Sequence, residues 1–193
     1  MPHMPKTKST ICYHIGQYIV LFILLSFAGW AVETVFCSLL LGGWCDRGFL
    51  HLPFCTIYGF TILGMYGLLG TPGQGGLLLK YVTSRPLRVL LYFLLAAGLT
   101  TATELVTGVF FTEVCGLSLW DYSGYRFHYN GYICLEFFFV WGVLFLIGMG
   151  YVFEPLKRWV GRIPGSVLLW SSAICCMIVI ADWIISYAEI FRH

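Results

Sequence analysis

Five long apolar runs, at about residues 17–41, 53–70, 87–111, 131–152 and 166–189, occupy most of this chain and are separated by short polar breaks. Roughly 20 apolar residues are what a helix needs to cross a bilayer, and lipid leaves few alternatives to helices, since every backbone polar group must find its partner inside the chain. The breaks are explicit. Gly42-Gly43-Trp44-Cys45-Asp46-Arg47-Gly48 ends the first run and Thr71-Pro72-Gly73-Gln74-Gly75-Gly76 the second, while Glu154-Pro155 opens a basic loop after the fourth. The expectation is an all-α polytopic membrane protein, a bundle of five transmembrane helices forming a single transmembrane domain over residues 1–193.

Composition narrows the function classes. Only 10% of residues are charged and 59% are hydrophobic, against roughly a quarter charged in soluble domains. With 193 residues, five spans leave no room for a soluble catalytic or nucleotide-binding domain. A net charge of +2 gives no basic surface for nucleic acid. The first run is too long for a signal peptide and has Glu33 within it, so it is expected to remain in the protein.

Lys and Arg sort by loop. With the N-terminus inside, the inner segments hold Lys6, Lys8, Lys80, Arg85, Arg88, Lys157, Arg158 and Arg162, leaving Arg47, Arg126 and Arg192 outside. That obeys the positive-inside rule and predicts N-in/C-out, with Met1 to Gly16 free to lie along the surface before the first span.

On this topology Glu33, Glu104, Glu136 and Asp182 fall at one level, roughly 8 to 12 Å from the outer boundary at 1.5 Å per residue. Ionisable groups at that depth are costly and mark functional sites by default, and the acids can share one cavity. Arg47, in the first outer loop, is the natural counter-ion of Glu33. The plainer reading of these acids is an approach to the interface or a hydrogen bond within the helix.

Two blocks share a grammar. Gly29-Trp30-Ala31-Val32-Glu33 is followed by Arg47-Gly48-Phe49-Leu50-His51-Leu52-Pro53-Phe54-Cys55-Thr56-Ile57-Tyr58-Gly59-Phe60; Glu104-Leu105-Val106-Thr107-Gly108 is followed by Leu119-Trp120-Asp121-Tyr122 and Asn130-Gly131-Tyr132-Ile133-Cys134-Leu135. Each is an outward helix with a late Glu, a polar outer loop and a return helix entered near Gly and Cys, a weak parallel repeat of helix pairs.

These blocks resemble the small bacterial membrane proteins grouped as ABC-transporter type IV, or CmpB-like permeases. The resemblance covers about residues 18–152 and rests on Gly-Trp-x-x-Glu, Arg-Gly-x-x-x-x-Pro-x-Cys-x-Ile-Tyr-Gly-Phe, Leu-Trp-Asp-Tyr and Asn-Gly-x-Ile-Cys-Leu. It implies a multi-pass permease of the bacterial plasma membrane and leaves room for an ATPase partner. The inner segment from Glu154 to Pro164 does not support that partner, because its Glu, Gly and Pro lack the spacing of an importer coupling loop.

The third outer region, Gly116 to Gly131, is rich in Trp and Tyr and reads either as an interfacial aromatic belt or as a lid. As a lid, Trp120 and Tyr122 stack over a ligand while Asp121 and Asn130 orient it, which suits an organic cation or a sugar-like headgroup. Cys45 and Cys115 lie where a disulfide could join loops 1 and 3. Cys45, His51, Cys115 and His128 include no pair with zinc spacing, so no metal is expected. Gly59, Gly64, Gly67, Gly142 and Gly148 are expected to serve close helix packing.

No hydrolase elbow, no His-Glu-x-x-His and no phosphate-binding loop occurs, so no catalytic residue and no cofactor is expected. The resulting expectation is a transport-type protein with an outward-facing pocket for a cationic or polar small molecule. Its binding residues are Glu33, Arg47, Tyr58, Glu104, Trp120, Asp121, Tyr122 and Asn130, supported by Cys55, Cys134, Glu136 and Asp182. The alternatives are a membrane-embedded enzyme or binding protein acting on a lipid headgroup, with the glutamates as acid and base, and a non-transporting partner subunit. Membrane lipids are the expected surroundings, and a homodimer would widen the thin pathway that five spans can form.

Overall fold

The computed structural model describes residues 6–190 and residue 192. The helices are α1 (Lys6–Leu41), α2 (Thr56–Leu69), α3 (Arg85–Val109), α4 (Leu135–Ile147), α5 (Phe153–Val160) and α6 (Gly165–Ile190). A small hairpin of β1 (His128–Tyr129) and β2 (Ile133–Cys134) precedes α4. Two π turns lengthen the helices: Phe110–Val114 continues α3, and Gly148–Val152 joins α4 to α5.

Among the described residues four stretches, Thr10–Leu39, Arg85–Val114, Leu135–Val160 and Gly165–Glu189, are helices long and apolar enough to cross a membrane. The chain is therefore a mostly helical membrane protein. The run expected at about 53–70 forms a shorter element: α2 has 14 residues, about 21 Å at 1.5 Å per residue, less than a hydrocarbon core of ~30 Å. The stretch before Gly16 is continuous with α1 from Lys6 onward, while Met1–Pro5 lie outside the described residues.

Glu154-Pro155 does not open a loop. The helix runs through it to Val160, and the physical reason lies just upstream. A proline inside a helix lacks an N–H and clashes with the carbonyl four residues back. Here that carbonyl belongs to Tyr151, inside the widened π turn Gly148–Val152, which relieves the ladder before the proline arrives. The basic loop begins only at Gly161.

The chain forms two compact units: residues 1–60 with 155–193, and residues 61–154. In the first, α1 packs along α6. Tyr13 donates to the Gly161 carbonyl at 2.8 Å. The Cβ position of Gly16 lies 3.4 Å from Leu169 Cδ2, ordinary contact. Gly59 lets the start of α2 close on Phe22 and Ser26 of α1, where a methyl group would collide at 2.6 Å with Phe22 Cδ2. Leu21, Leu25, Val160 and Leu168 fill this core.

In the second unit α3 packs along α4, and Tyr92, Ala96, Ala97, Thr100, Glu104 and Gly108 form the buried stripe of α3 at helical spacing. Gly142 admits the Phe93 ring to the α4 backbone. Gly64, Gly67 and Gly148, expected to serve close packing, meet nothing within 4 Å among the described residues.

Candidate functional site

In the first unit, the loop after α1 descends one face of that helix. Ser38 Oγ accepts the Cys45 N–H at 3.0 Å and Thr34 Oγ1 accepts the Arg47 N–H at 3.2 Å. Trp30 Nε1 donates to Asp46 Oδ1 at 2.8 Å, and the Ser26 carbonyl accepts the Cys55 N–H at 3.1 Å. Positions 38, 34, 30 and 26 are successive four-residue steps, so they line one face of α1 over about 18 Å. The loop is stitched to a stripe.

Glu33 sits beside this stripe and forms the pair the sequence suggests. Arg47 donates through Nε at 3.1 Å and Nη2 at 2.9 Å, both to Glu33 Oε1. The other oxygen, Oε2, faces the Cys55 thiol at 3.6 Å. Desolvation opposes the Arg47 charge, but the Glu33 carboxylate and its hydrogen bonds outweigh it and hold the guanidinium pKa above its ordinary value. Tyr58 lays its ring on Gly29, where a Cβ would overlap it.

A second cluster in this unit was only half visible in the sequence. Asp182, 7% exposed, accepts the Leu52 N–H on Oδ2 at 3.0 Å and faces His51 Nδ1 through Oδ1 at 3.1 Å. Ser186 Oγ also lies 3.1 Å from His51 Nδ1, and Glu189 Oε2 lies 3.1 Å from His51 Nε2. Asp182, Ser186 and Glu189 recur at i, i+4 and i+7 on α6, a stripe legible in the sequence that gave no hint of which loop would meet it. His51 turns to α6 while Cys55 turns to Glu33.

In the second unit, Glu104 is 7% exposed and accepts the Tyr122 hydroxyl on Oε1 at 2.9 Å. The Tyr122 ring packs on Phe137 with centroids 4.7 Å apart, and Phe137 neighbours Tyr125 at 5.5 Å and Trp141 at 6.1 Å. Aromatic rings thus surround the loop residue that reaches the buried acid.

The same loop uses its other polar groups internally. Trp120 Nε1 donates to the Tyr132 carbonyl at 2.9 Å. Asp121 accepts the Ser123 N–H on Oδ1 and the Ser123 hydroxyl on Oδ2, each at 2.8 Å, and these bonds, the backbone one first, hold its carboxyl below the usual range. The expected return helix does not begin at residue 131 but at Leu135, because Asn130 and Gly131 both adopt positive φ, 48° and 75°, and turn β1 into β2. Asn-Gly is the residue pair such turns favour, a local signal that the apolar run obscured. Tyr132 donates to Glu113 Oε1 at 2.9 Å, so Glu113 joins the loop's supports unannounced by the sequence reading. Glu136 keeps Oε2 buried with no hydrogen-bond partner among the described residues, and the Cys134 thiol bonds to its side chain.

Glu33 and Arg47 therefore belong to the first unit, and Glu104, Trp120, Asp121, Tyr122 and Asn130 to the second. Cys45 and Cys115 are both free thiols, as are the other six cysteines.

Helices long and apolar enough to span a membrane, with Glu33 met by Arg47 and Glu104 by Tyr122 from connecting segments, define a polytopic helical membrane protein with polar helix ends. Residues 20–187 match the model of the family described as Putative ABC-transporter type IV, and the chain belongs to that family. No curated protein and no solved structure matches it.

Proposed function

We propose that this chain is a small permease-like protein of a bacterial plasma membrane, forming a single transmembrane domain with α2 as a fifth, short span and the topology N-in/C-out. It binds a cationic or polar small molecule at the outer helix end of the second unit, through Glu104 with Tyr122. The observation that carries this reading is the reach of Tyr122, from a surface loop, to a carboxylate that is 7% exposed. An acid at that depth is costly to retain, and a cover carried on a loop can leave it. A cation arriving from outside would replace the phenol as the partner of Glu104 and gain the faces of Phe137 and Tyr125.

The test is uptake of labelled small organic cations into proteoliposomes. Uptake that disappears in Glu104→Gln, with KM changed and kcat less so in Tyr122→Phe, supports the proposal. Uptake unaffected by Glu104→Gln, or no uptake across a panel of cationic and polar solutes, overturns it.

A further inference from the structure

Cys37 on α1 and Cys45 in the loop that follows are eight positions apart, and both are half-buried free thiols. The register that pairs Glu33 with Arg47 also brings these two together. Thr34 Oγ1 and Ser38 Oγ accept the N–H groups of Arg47 and Cys45, so two residues of loop run antiparallel to four residues of helix. Four helical residues rise about 6 Å and two extended residues cover about 6.6 Å, so the two spacings are nearly equal.

Side chains follow the backbone. Residues 33 and 37 are one turn apart on a single face of α1, while residues 45 and 47 share one side of an extended segment. Arg47 reaches Glu33, so Cys45 falls against Cys37, and the two thiols hydrogen-bond to each other. Cys55, the other thiol beside this pair, is engaged elsewhere: its Sγ faces Glu33 Oε2 at 3.6 Å and the Arg47 carbonyl at 3.9 Å. The turn between the partners is open, because a Cβ at Gly42 or Gly43 would meet nothing within 4 Å among the described residues. Thiols already in contact need only a small rotation of each side chain to reach the roughly 2 Å of a sulfur–sulfur bond.

We infer that Cys37 and Cys45 form a reversible redox site: a disulfide between them, made by exchange with a soluble disulfide, fastens the loop to the end of α1 and holds Arg47 over Glu33. The site uses neither Glu104 nor Tyr122 and stands apart from the transport reading.

The step is a two-electron exchange. Cys45, in the loop beyond the apolar stretch Thr10–Leu39, meets the soluble disulfide first. Its thiolate attacks one sulfur, forms a mixed disulfide and expels the other sulfur as a thiolate. The Cys37 thiolate then attacks the Cys45 sulfur and expels the second. One soluble disulfide is thereby reduced to two thiols, which take up the two protons that Cys37 and Cys45 release, and one intramolecular disulfide is formed. Excess thiol reverses each step.

The experiment equilibrates the full chain, in phosphatidylcholine nanodiscs, with glutathione buffers of graded oxidised-to-reduced ratio. Remaining thiols are trapped with iodoacetamide, and chymotryptic peptides are read by mass spectrometry. A bridge from Cys37 to Cys45 is expected, reversed by excess reduced glutathione and formed at a ratio about tenfold lower than in the same chain unfolded in dodecyl sulfate and urea. Trypsin cleavage after Arg47 should slow about fivefold on oxidation. That redox dependence should vanish in Cys37→Ser and in Cys45→Ser, whose folding is checked by melting temperature. No bridge from Cys37 to Cys45 across the series, a bridge from either cysteine to Cys55 in its place, equal ratios for the folded and unfolded chain, or a redox-dependent cleavage that survives both substitutions overturns the proposal.

Discussion

Arg47 places two nitrogens, Nε and Nη2, on one oxygen of Glu33, at 3.1 and 2.9 Å, and leaves the second oxygen to the Cys55 thiol. The cation therefore neutralises the acid without occupying it, and one loop supplies both partners.

Removing one member of this pair should be worse than removing both. The two side chains are 25% and 24% exposed, between a surface pair and a dry one, so Arg47→Ala is expected to cost about 1 to 3 kcal/mol. Arg47→Ala with Glu33→Gln should recover a substantial part of that. Thermal unfolding of the three proteins in detergent checks it, and a double variant less stable than Arg47→Ala would refute the account.

Tyr122→Phe should lower stability by about 1 to 3 kcal/mol, because a buried carboxylate loses a donor. In a Glu104→Gln background the same change should cost less, since the charge that needed the phenol is gone. A double-mutant cycle by chemical unfolding measures the difference, and strictly additive effects would show that the 2.9 Å bond contributes nothing.

The helices and the Glu33 partner were legible in the sequence because apolar length and stranded charge are strong local signals. The remainder depended on geometry that no window of residues contains. His51 meets Asp182 across 131 positions of chain, and the hairpin lay hidden because Ile133 and Cys134 are as apolar as the helix they precede. Pro155 misled in the opposite sense, since its helix-breaking tendency is absorbed by a π turn that begins seven residues earlier, at Gly148.

Gly131→Ala should loosen the loop between α3 and α4. Its φ of 75° disfavours any side chain, and a Cβ would stand 2.6 Å from Asp121 Oδ1. A cost of about 1 to 2 kcal/mol, confined to the loop, is expected. Limited proteolysis between Trp120 and Tyr132 should accelerate while the helical circular dichroism signal stays unchanged. Asn130→Gly should leave the cleavage rate near that of the parent.

Acid should release the same loop. The folded Asp121 carboxyl titrates below its unfolded value because Ser123 hydrogen-bonds the charged form. Its contribution is thus fully present above the unfolded pKa of about 3.9 and is lost as pH falls through the lower folded value. Hydrogen exchange at Ser123 should be protected, after correction for intrinsic rates, down to about pH 4 and lose protection below it. Asp121→Asn should weaken protection at neutral pH and flatten that dependence; an unchanged acid profile in the variant would count against Asp121 as its source.

The four-step ladder at Ser38, Thr34, Trp30 and Ser26 makes the segment from α1 to α2 behave as a measured length of chain. One residue added to a free loop is absorbed as slack, but here it would shift the loop by one residue against a helix face that repeats every four. Contacts on the far side of the insertion would miss their partners together. Length between Trp30 and Cys55 is consequently as much a determinant of this end of α1 as any side chain within it, and sequence can vary there more freely than spacing.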